Sequence, residues 1–208
     1  MKKKIITLLI VILIVTGITF LAGIIKVDNI TLRRIINIGL NLLNGLTAFI
    51  AIKLTGIKID IELKNFKQYL IGLIVAIILS LNFAFMPTLL GLNMVGNHVD
   101  FNISKVLFAA FYYFIIIGPV EELLFRVYIQ ETCMSFFNKK WIGVILCSLI
   151  FGLWHWINSG FFAVLITFAI GLVFGFSKYF IKKFNYLGIS FSHGLYDFLN
   201  TIYSMFLV

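Results

Sequence analysis

The chain has 208 residues, of which 62% are hydrophobic and only 12% are charged, and its mean hydropathy is +1.09. A soluble domain of this size cannot bury so many apolar side chains, so the composition excludes a soluble protein and predicts an integral membrane protein. The net charge of +9 does not indicate a nucleic-acid partner, because basic residues that flank membrane segments set the topology of the chain.

Apolar segments with almost no charge recur along the whole chain. A helix needs about 20 apolar residues to cross the hydrocarbon of a bilayer, and these segments lack the alternation that a membrane β-barrel shows. The uncharged run 141–177 is too long for one crossing, and the polar turn INSG at 157–160 divides it. The sequence therefore predicts an all-α fold, a polytopic membrane helical bundle with about seven transmembrane helices, near residues 5–25, 35–53, 69–92, 105–129, 141–157, 160–178 and 185–207.

The first of these segments has features of a signal peptide, but we interpret it as a membrane helix. It follows three lysines, its apolar stretch is long for a signal peptide, and no A-x-A site follows it. With the N-terminus in the cytoplasm, twelve basic residues fall on the cytoplasmic side and four on the other side. The excess of lysine predicts a cytoplasmic N-terminus and an external C-terminus in a membrane that is predicted to be a bacterial cell membrane.

Ionisable residues inside the predicted spans are confined to the C-terminal half of the chain. They are costly in lipid and usually have a function there. The sequence therefore predicts a single integral-membrane domain, 1–208, in which 1–95 form N-terminal packing helices and 104–208 form the catalytic core. The ionisable residues inside the predicted spans are Glu121, Glu122, Arg126, His155, His193 and Asp197.

Spacing within the helices suggests a role for each member of this set. Glu122 and Arg126 are i,i+4 neighbours and are predicted to form an ion pair, which leaves Glu121 as the better candidate for chemistry. Pro119 suits the first turn of a helix, so a helix is expected to begin or restart there, with its N-terminus helping to keep Glu121 ionised.

The other spans contribute two histidines to the predicted site. His193 and Asp197 are also i,i+4 neighbours, and the carboxylate can orient the imidazole. Phe151 lies one turn before His155 and is expected to form a wall of the site. The alternative is that all of these groups only join helices through a polar network.

The residues resemble the CAAX prenyl protease and bacteriocin-processing family of intramembrane proteases. The motif EExxxR is present from Glu121 to Arg126, FxxxH from Phe151 to His155, and a histidine followed four residues later by Asn or Asp at His193 and Asp197. The resemblance covers about 118–200, and the N-terminal half is similar only as hydrophobic helices.

This resemblance implies hydrolysis of a peptide bond inside the membrane by a glutamate-type mechanism. Glu121 and His155 would activate water, while His193 and Asp197 would hold the oxyanion; no cofactor and no metal are expected. The position of Asp197 often holds Asn in the prenyl-protease branch. Its carboxylate leaves a second interpretation open, in which Glu121, His155, His193 and Asp197 ligate zinc, although the chain has no HExxH motif.

The expected partners are the lipid bilayer and a peptide or membrane-protein substrate, which is membrane-inserted or lipidated. Bacterial relatives suggest bacteriocin processing or self-immunity. One alternative is a non-catalytic membrane scaffold that keeps the protease fold, although a scaffold has no need for Glu121. Another is a transporter with a proton-relaying acidic site, which the absence of a visible inverted repeat disfavours.

Overall fold

The computed structural model describes residues 1–92 and 94–208. Within these residues the chain forms seven long helices and no strand. The all-α prediction is confirmed, and so is the polytopic helical bundle. The helices are α1 Lys2–Ile24, α2 Ile30–Thr55, α3 Phe66–Leu89, α4 Ile103–Met134, α5 Lys140–Ile157, α6 Gly160–Phe180 and α7 Tyr186–Phe206.

Six of the seven helices, α1 to α6, are long and apolar enough to cross a membrane. The last predicted span, 185–207, does form a helix of 21 residues, α7, but it is not among those six. The buried side of α7 explains its lower hydropathy, because it carries the polar side chains of Ser190, Ser192, His193 and Ser204.

Short polar side chains and one glycine set several helix boundaries. Asn29, Asn102 and Asn185 precede α2, α4 and α7, and each side-chain oxygen accepts a hydrogen bond from a backbone N–H of the first turn. Gly160 has φ 77° and ψ 179°, a conformation that strongly favours glycine. The chain turns there between α5 and α6, as the INSG sequence predicted.

The α-helical geometry resumes at Gly118, next to Pro119, but no separate helix begins there, because α4 continues through this residue. Residues Tyr112–Ile117 and Leu123–Ile129 form wide π-helical turns on either side of it. Pro119 lacks a backbone N–H, and its ring crowds the carbonyl four residues earlier. That carbonyl lies in the first wide turn, which relieves the crowding, so no free helix N-terminus lies beside Glu121.

The chain divides into two compact units. The first contains residues 1–60 and 120–182; in it α1 packs on α2, and the second part of α4 contacts α2 and the α5–α6 pair. The second contains 61–119 and 183–208; in it α3 and the first part of α4 pack on α7.

Glycines allow close helix contacts within both units. In the first unit, a Cβ atom at Gly171 would lie 3.3 Å from Ser148 Cβ, and one at Gly175 would lie 2.8 Å from Val144 Cγ1. The small-xxx-small pattern at 171–175 therefore marks a close contact of α6 with α5, as expected. In the second unit, Gly118 of α4 and Gly194 of α7 approach each other closely.

Candidate active site

The first unit contains a fully buried ion pair on α4. Arg126 Nε lies 3.4 Å from Glu122 Oε2, and both side chains have no exposed surface. The expected i,i+4 pair is therefore present. The two charges compensate each other, because a buried charge without a counter-charge costs a large free energy.

Further contacts hold the Arg126 guanidinium in place. It lies over the ring of Phe151, 4.8 Å from the ring centroid, and 6.0 Å from that of Phe174. Its Nη1 donates to Cys147 Sγ at 3.8 Å, while the Cys147 thiol donates to the backbone oxygen of Phe125 at 3.1 Å. Cys147 is fully buried, and it also orients the arginine.

Phe151 connects the arginine to His155. Its ring centroid is 4.6 Å from that of His155, and the two rings are nearly perpendicular, at 69°. The Phe151 backbone oxygen lies 2.9 Å from His155 Nδ1. A carbonyl oxygen can only accept, so Nδ1 carries the proton. In the neutral ring Nε2 then carries a lone pair and no proton, as in a base or a metal ligand.

Glu121 is buried as well, with 7% of its surface exposed. Neighbouring residues of a helix point about 100° apart, so Glu121 does not share the Arg126 face with Glu122. The structure thus separates one glutamate, in an ion pair with arginine, from a second buried glutamate on another face of α4.

The second unit contains the other two predicted residues, both on α7. His193 Nε2 lies 3.5 Å from Asp197 Oδ2, and the histidine side chain is almost fully buried. This distance favours a proton on Nε2.

Two residues near this pair were missed by the sequence reasoning. The Tyr113 side chain lies near Thr201 and Asp197. Thr201 Oγ1 in turn donates to the Asp197 backbone oxygen at 3.4 Å. Tyr113 belongs to the aromatic run FYYF, so nothing in the sequence distinguishes it from its neighbours.

The position of His193 depends on the close contact between α4 and α7. A Cβ atom at Gly194 would lie 2.7 Å from the Tyr113 backbone oxygen, and one at Gly118 would lie 2.5 Å from the Ser190 backbone oxygen. Any larger side chain at either position would push backbone against backbone. His193 is therefore held by two glycines that the family motif does not include.

The chemistry available to these groups is proton transfer and charge stabilisation. A buried carboxylate and a histidine whose Nε2 carries no proton can act on water, and a buried imidazole N–H can face a developing negative charge. Among the residues that the structure describes, no group of three or more His, Cys, Asp or Glu side chains is placed to hold a metal ion.

Comparison with known proteins adds one finding. The family model described as "Type II CAAX prenyl endopeptidase Rce1-like" matches residues 103–199, a segment that contains every candidate catalytic residue. Neither the curated proteins nor the solved structures include a match to the chain.

Proposed function

We propose that the chain is an intramembrane endopeptidase with a glutamate-type mechanism, on the support of the CAAX prenyl endopeptidase family model that matches residues 103–199. Its substrate is a membrane-inserted or lipidated peptide. The main structural support is the contrast between the two buried glutamates: Glu122 is ion-paired with Arg126, whereas Glu121 lies on another face.

In this proposal Glu121, assisted by His155 Nε2, takes a proton from water while the water oxygen attacks the carbonyl carbon of the scissile bond. The proton then passes to the leaving amine as the C–N bond breaks. His193 donates to the oxyanion that forms in between. Ionised Asp197 cannot donate, so its role is to keep His193 oriented and protonated.

The proposal predicts that Glu121→Gln abolishes cleavage and leaves the melting temperature nearly unchanged. Glutamine has the same shape, but it cannot take a proton from water. The measurement is cleavage of membrane peptides by purified protein in liposomes, together with thermal unfolding in detergent. The matched control is Glu131→Gln, on the same helix, where the carboxylate pairs with Lys178 at 2.5 Å. Full activity of the Glu121→Gln variant would contradict the glutamate-type mechanism, whereas the absence of cleavage by the wild-type protein would favour a non-catalytic scaffold.

The same assay addresses the metal. If the mechanism is glutamate-type, the protein keeps its cleavage activity after treatment with a strong chelator. If the two histidines and two carboxylates hold zinc, the protein loses this activity. Activity that falls on chelation and returns with stoichiometric zinc would replace the glutamate-type mechanism with metal catalysis.

The biological setting that we propose is bacteriocin processing or self-immunity in a bacterial cell membrane. It is supported by the family resemblance. Deletion of the gene from a producing strain should make the strain sensitive to its own bacteriocin. The wild-type gene should then restore resistance, and the Glu121→Gln gene should not.

A further inference from the structure

An exposed apolar cluster lies at the start of α3, in the second unit. Leu63 and Phe66 have 72% and 79% of their surfaces exposed, and Ile61 beside them is exposed as well. Phe66 is the first residue of α3, which is a candidate membrane span, and the exposed apolar surface continues one turn further at Leu70. The cluster therefore lies at the boundary between the hydrocarbon and the headgroups of a bilayer, where such side chains are buried in lipid.

Three exposed lysines adjoin this cluster. Lys64 and Lys67 lie next to the apolar residues in the sequence, and Lys183 precedes α7. Asn65 Nδ2 donates to the Lys183 backbone oxygen at 3.2 Å, so the two segments lie side by side. The acidic residue here is Glu62, whose carboxylate accepts from Asn65 Nδ2 at 3.0 Å. Three positive charges against one negative charge make this surface basic at the level of the headgroups.

Buried hydrogen bonds join the same segment to the first turn of α7. Gln68 has no exposed surface. Its Nε2 donates to the Glu62 backbone oxygen at 2.6 Å, and its Oε1 accepts from the Gly188 backbone N–H at 3.0 Å. The N–H groups of a first helical turn have no acceptor within their own helix, so Gln68 caps α7. Gly188 is about 7.5 Å along the helix axis from His193.

We propose that this basic and apolar surface docks anionic phospholipids of the bilayer. The three lysines bind the phosphates of the headgroups, and the acyl chains surround the exposed apolar side chains. Anionic lipid complements both parts of the surface, because lysine attracts the headgroup charge and the membrane span that follows holds the apolar side chains at the bilayer surface. The docking surface consists of Ile61, Leu63, Lys64, Phe66, Lys67 and Lys183.

The docked lipid also stabilises the start of α7. Lipid restrains residues 61–67, and the hydrogen bonds of Asn65 and Gln68 transmit this restraint to the first turn of the helix that carries His193. Anionic lipid should therefore reduce local opening of this turn. Lipid binding is independent of the proposed function, and only an effect of lipid on cleavage rests on that function.

The first test measures binding to the lysines. The protein is placed in phosphatidylcholine nanodiscs with a photoreactive phosphatidylglycerol, and labelling of residues 61–67 is mapped. Added phosphatidylglycerol should compete with this labelling. Lys64→Gln and Lys67→Gln should each raise the amount needed for half competition by about fivefold, the usual effect of one lysine at an anionic surface. Lys26→Gln, at an exposed lysine after α1, is the matched control and should leave this amount unchanged.

Two competitors decide whether the partner is an anionic lipid. We expect neither additional phosphatidylcholine nor inorganic phosphate to reduce the labelling. Equal competition by phosphatidylcholine would mean lipid contact without recognition of charge, and it would overturn the proposal. Competition by inorganic phosphate would also overturn it, because the surface would then bind a free anion rather than a lipid.

The second test removes an apolar contact. Phe66→Ser should weaken labelling by the photoreactive phosphatidylglycerol, because serine does not enter the acyl chains. Leu90→Ser is the matched control, since Leu90 follows the other end of α3 and is 77% exposed, and it should label residues 61–67 as the wild type does. Wild-type labelling of the Phe66→Ser protein would exclude insertion at the docking surface.

The third test follows the start of α7 by hydrogen exchange. Exchange of the amides of residues 186–193 should be slower in nanodiscs of equal parts phosphatidylglycerol and phosphatidylcholine than in phosphatidylcholine alone. Asn65→Ala should reduce this difference and Gln68→Met should abolish it, because each variant removes a hydrogen bond that joins the segment to α7 or to the residues before it. An equal difference in all three proteins would overturn the coupling.

Peptide cleavage is measured in the same nanodiscs. We expect the wild-type protein to cleave faster with phosphatidylglycerol than without it, and the Lys64→Gln and Lys67→Gln variants to respond less. A protein that binds phosphatidylglycerol at the docking surface and cleaves no peptide in either lipid would contradict the proposed function and leave the docking surface supported.

Discussion

At the scale of single residues, Arg126 distinguishes the adjacent Glu121 and Glu122, because it forms its ion pair with Glu122. Its charge is fully buried and balanced by Glu122, while Phe151 and Cys147 fix its direction. The same Phe151 ring contacts His155. The ion pair therefore supports the position of His155 through one shared aromatic ring.

We predict that Glu122→Gln lowers the free energy of unfolding by about 3–5 kcal/mol, because it leaves a buried arginine without its counter-charge. Arg126→Ala should cost a similar amount. The double variant Glu122→Gln with Arg126→Met should recover part of the loss, since no charge then remains. Thermal and denaturant unfolding in detergent measure these effects. A stable but inactive Glu122→Gln protein would mean that the two glutamates have exchanged roles.

We predict that Asp197→Asn keeps substantial activity and that Asp197→Ala loses most of it. Both Asp and Asn can hydrogen-bond His193 Nε2–H from this position, 3.5 Å away, whereas Ala cannot. The measurement is kcat/KM of the two variants on one substrate. If both variants are equally inactive, a carboxylate is required, and metal ligation by Asp197 gains support.

At the scale of helices, α4 combines features that a regular α-helix lacks. Two wide π-helical turns, Tyr112–Ile117 and Leu123–Ile129, flank the segment with Pro119 and the glutamates. Such turns occur often at functional sites. The first provides the Tyr113 backbone oxygen against which Gly194 of α7 packs, and the second contains Arg126.

We predict that Gly194→Ala destabilises the protein by about 1–3 kcal/mol, the usual cost of overpacking. It should also lower activity, because α7 must move and carry His193 with it. Gly39→Ala in α2 is the control: a Cβ atom there has nothing within 4 Å, and alanine is the better helix former. A Gly194→Ala protein with wild-type stability and activity would show that α7 is not held by this contact.

At the scale of the whole molecule, α7 decides the topology. We predict a cytoplasmic N-terminus and an external C-terminus, which requires an odd number of crossings and hence that α7 spans the membrane with α1 to α6. The twelve-to-four distribution of basic residues supports this orientation. Tags at both termini, tested for accessibility in intact cells, provide the measurement. Two termini on the same side would mean that α7 does not cross.

The sequence by itself determined the features that depend on composition and local spacing. The absence of charge over long segments predicted the membrane helices, INSG predicted the turn at Gly160, and the i,i+4 spacing predicted the pair of Glu122 with Arg126. The family motifs predicted the chemistry within a segment of about 118–200. These signals are readable because they arise within one helix or from the solvent that surrounds it.

Only the tertiary structure decided what depends on neighbouring helices. It showed a continuous helix through Pro119 where the sequence suggested a helix start. The crowding between the Pro119 ring and the preceding turn is relieved by a π-helical turn, and no residue pattern predicts that turn. It brought Cys147 and Phe151 to Arg126, Thr201 to Tyr113, and Gln68 to Gly188. Such contacts join residues far apart in the chain. In an apolar sequence many side chains are equally suitable partners for each contact, so the sequence does not identify the partner.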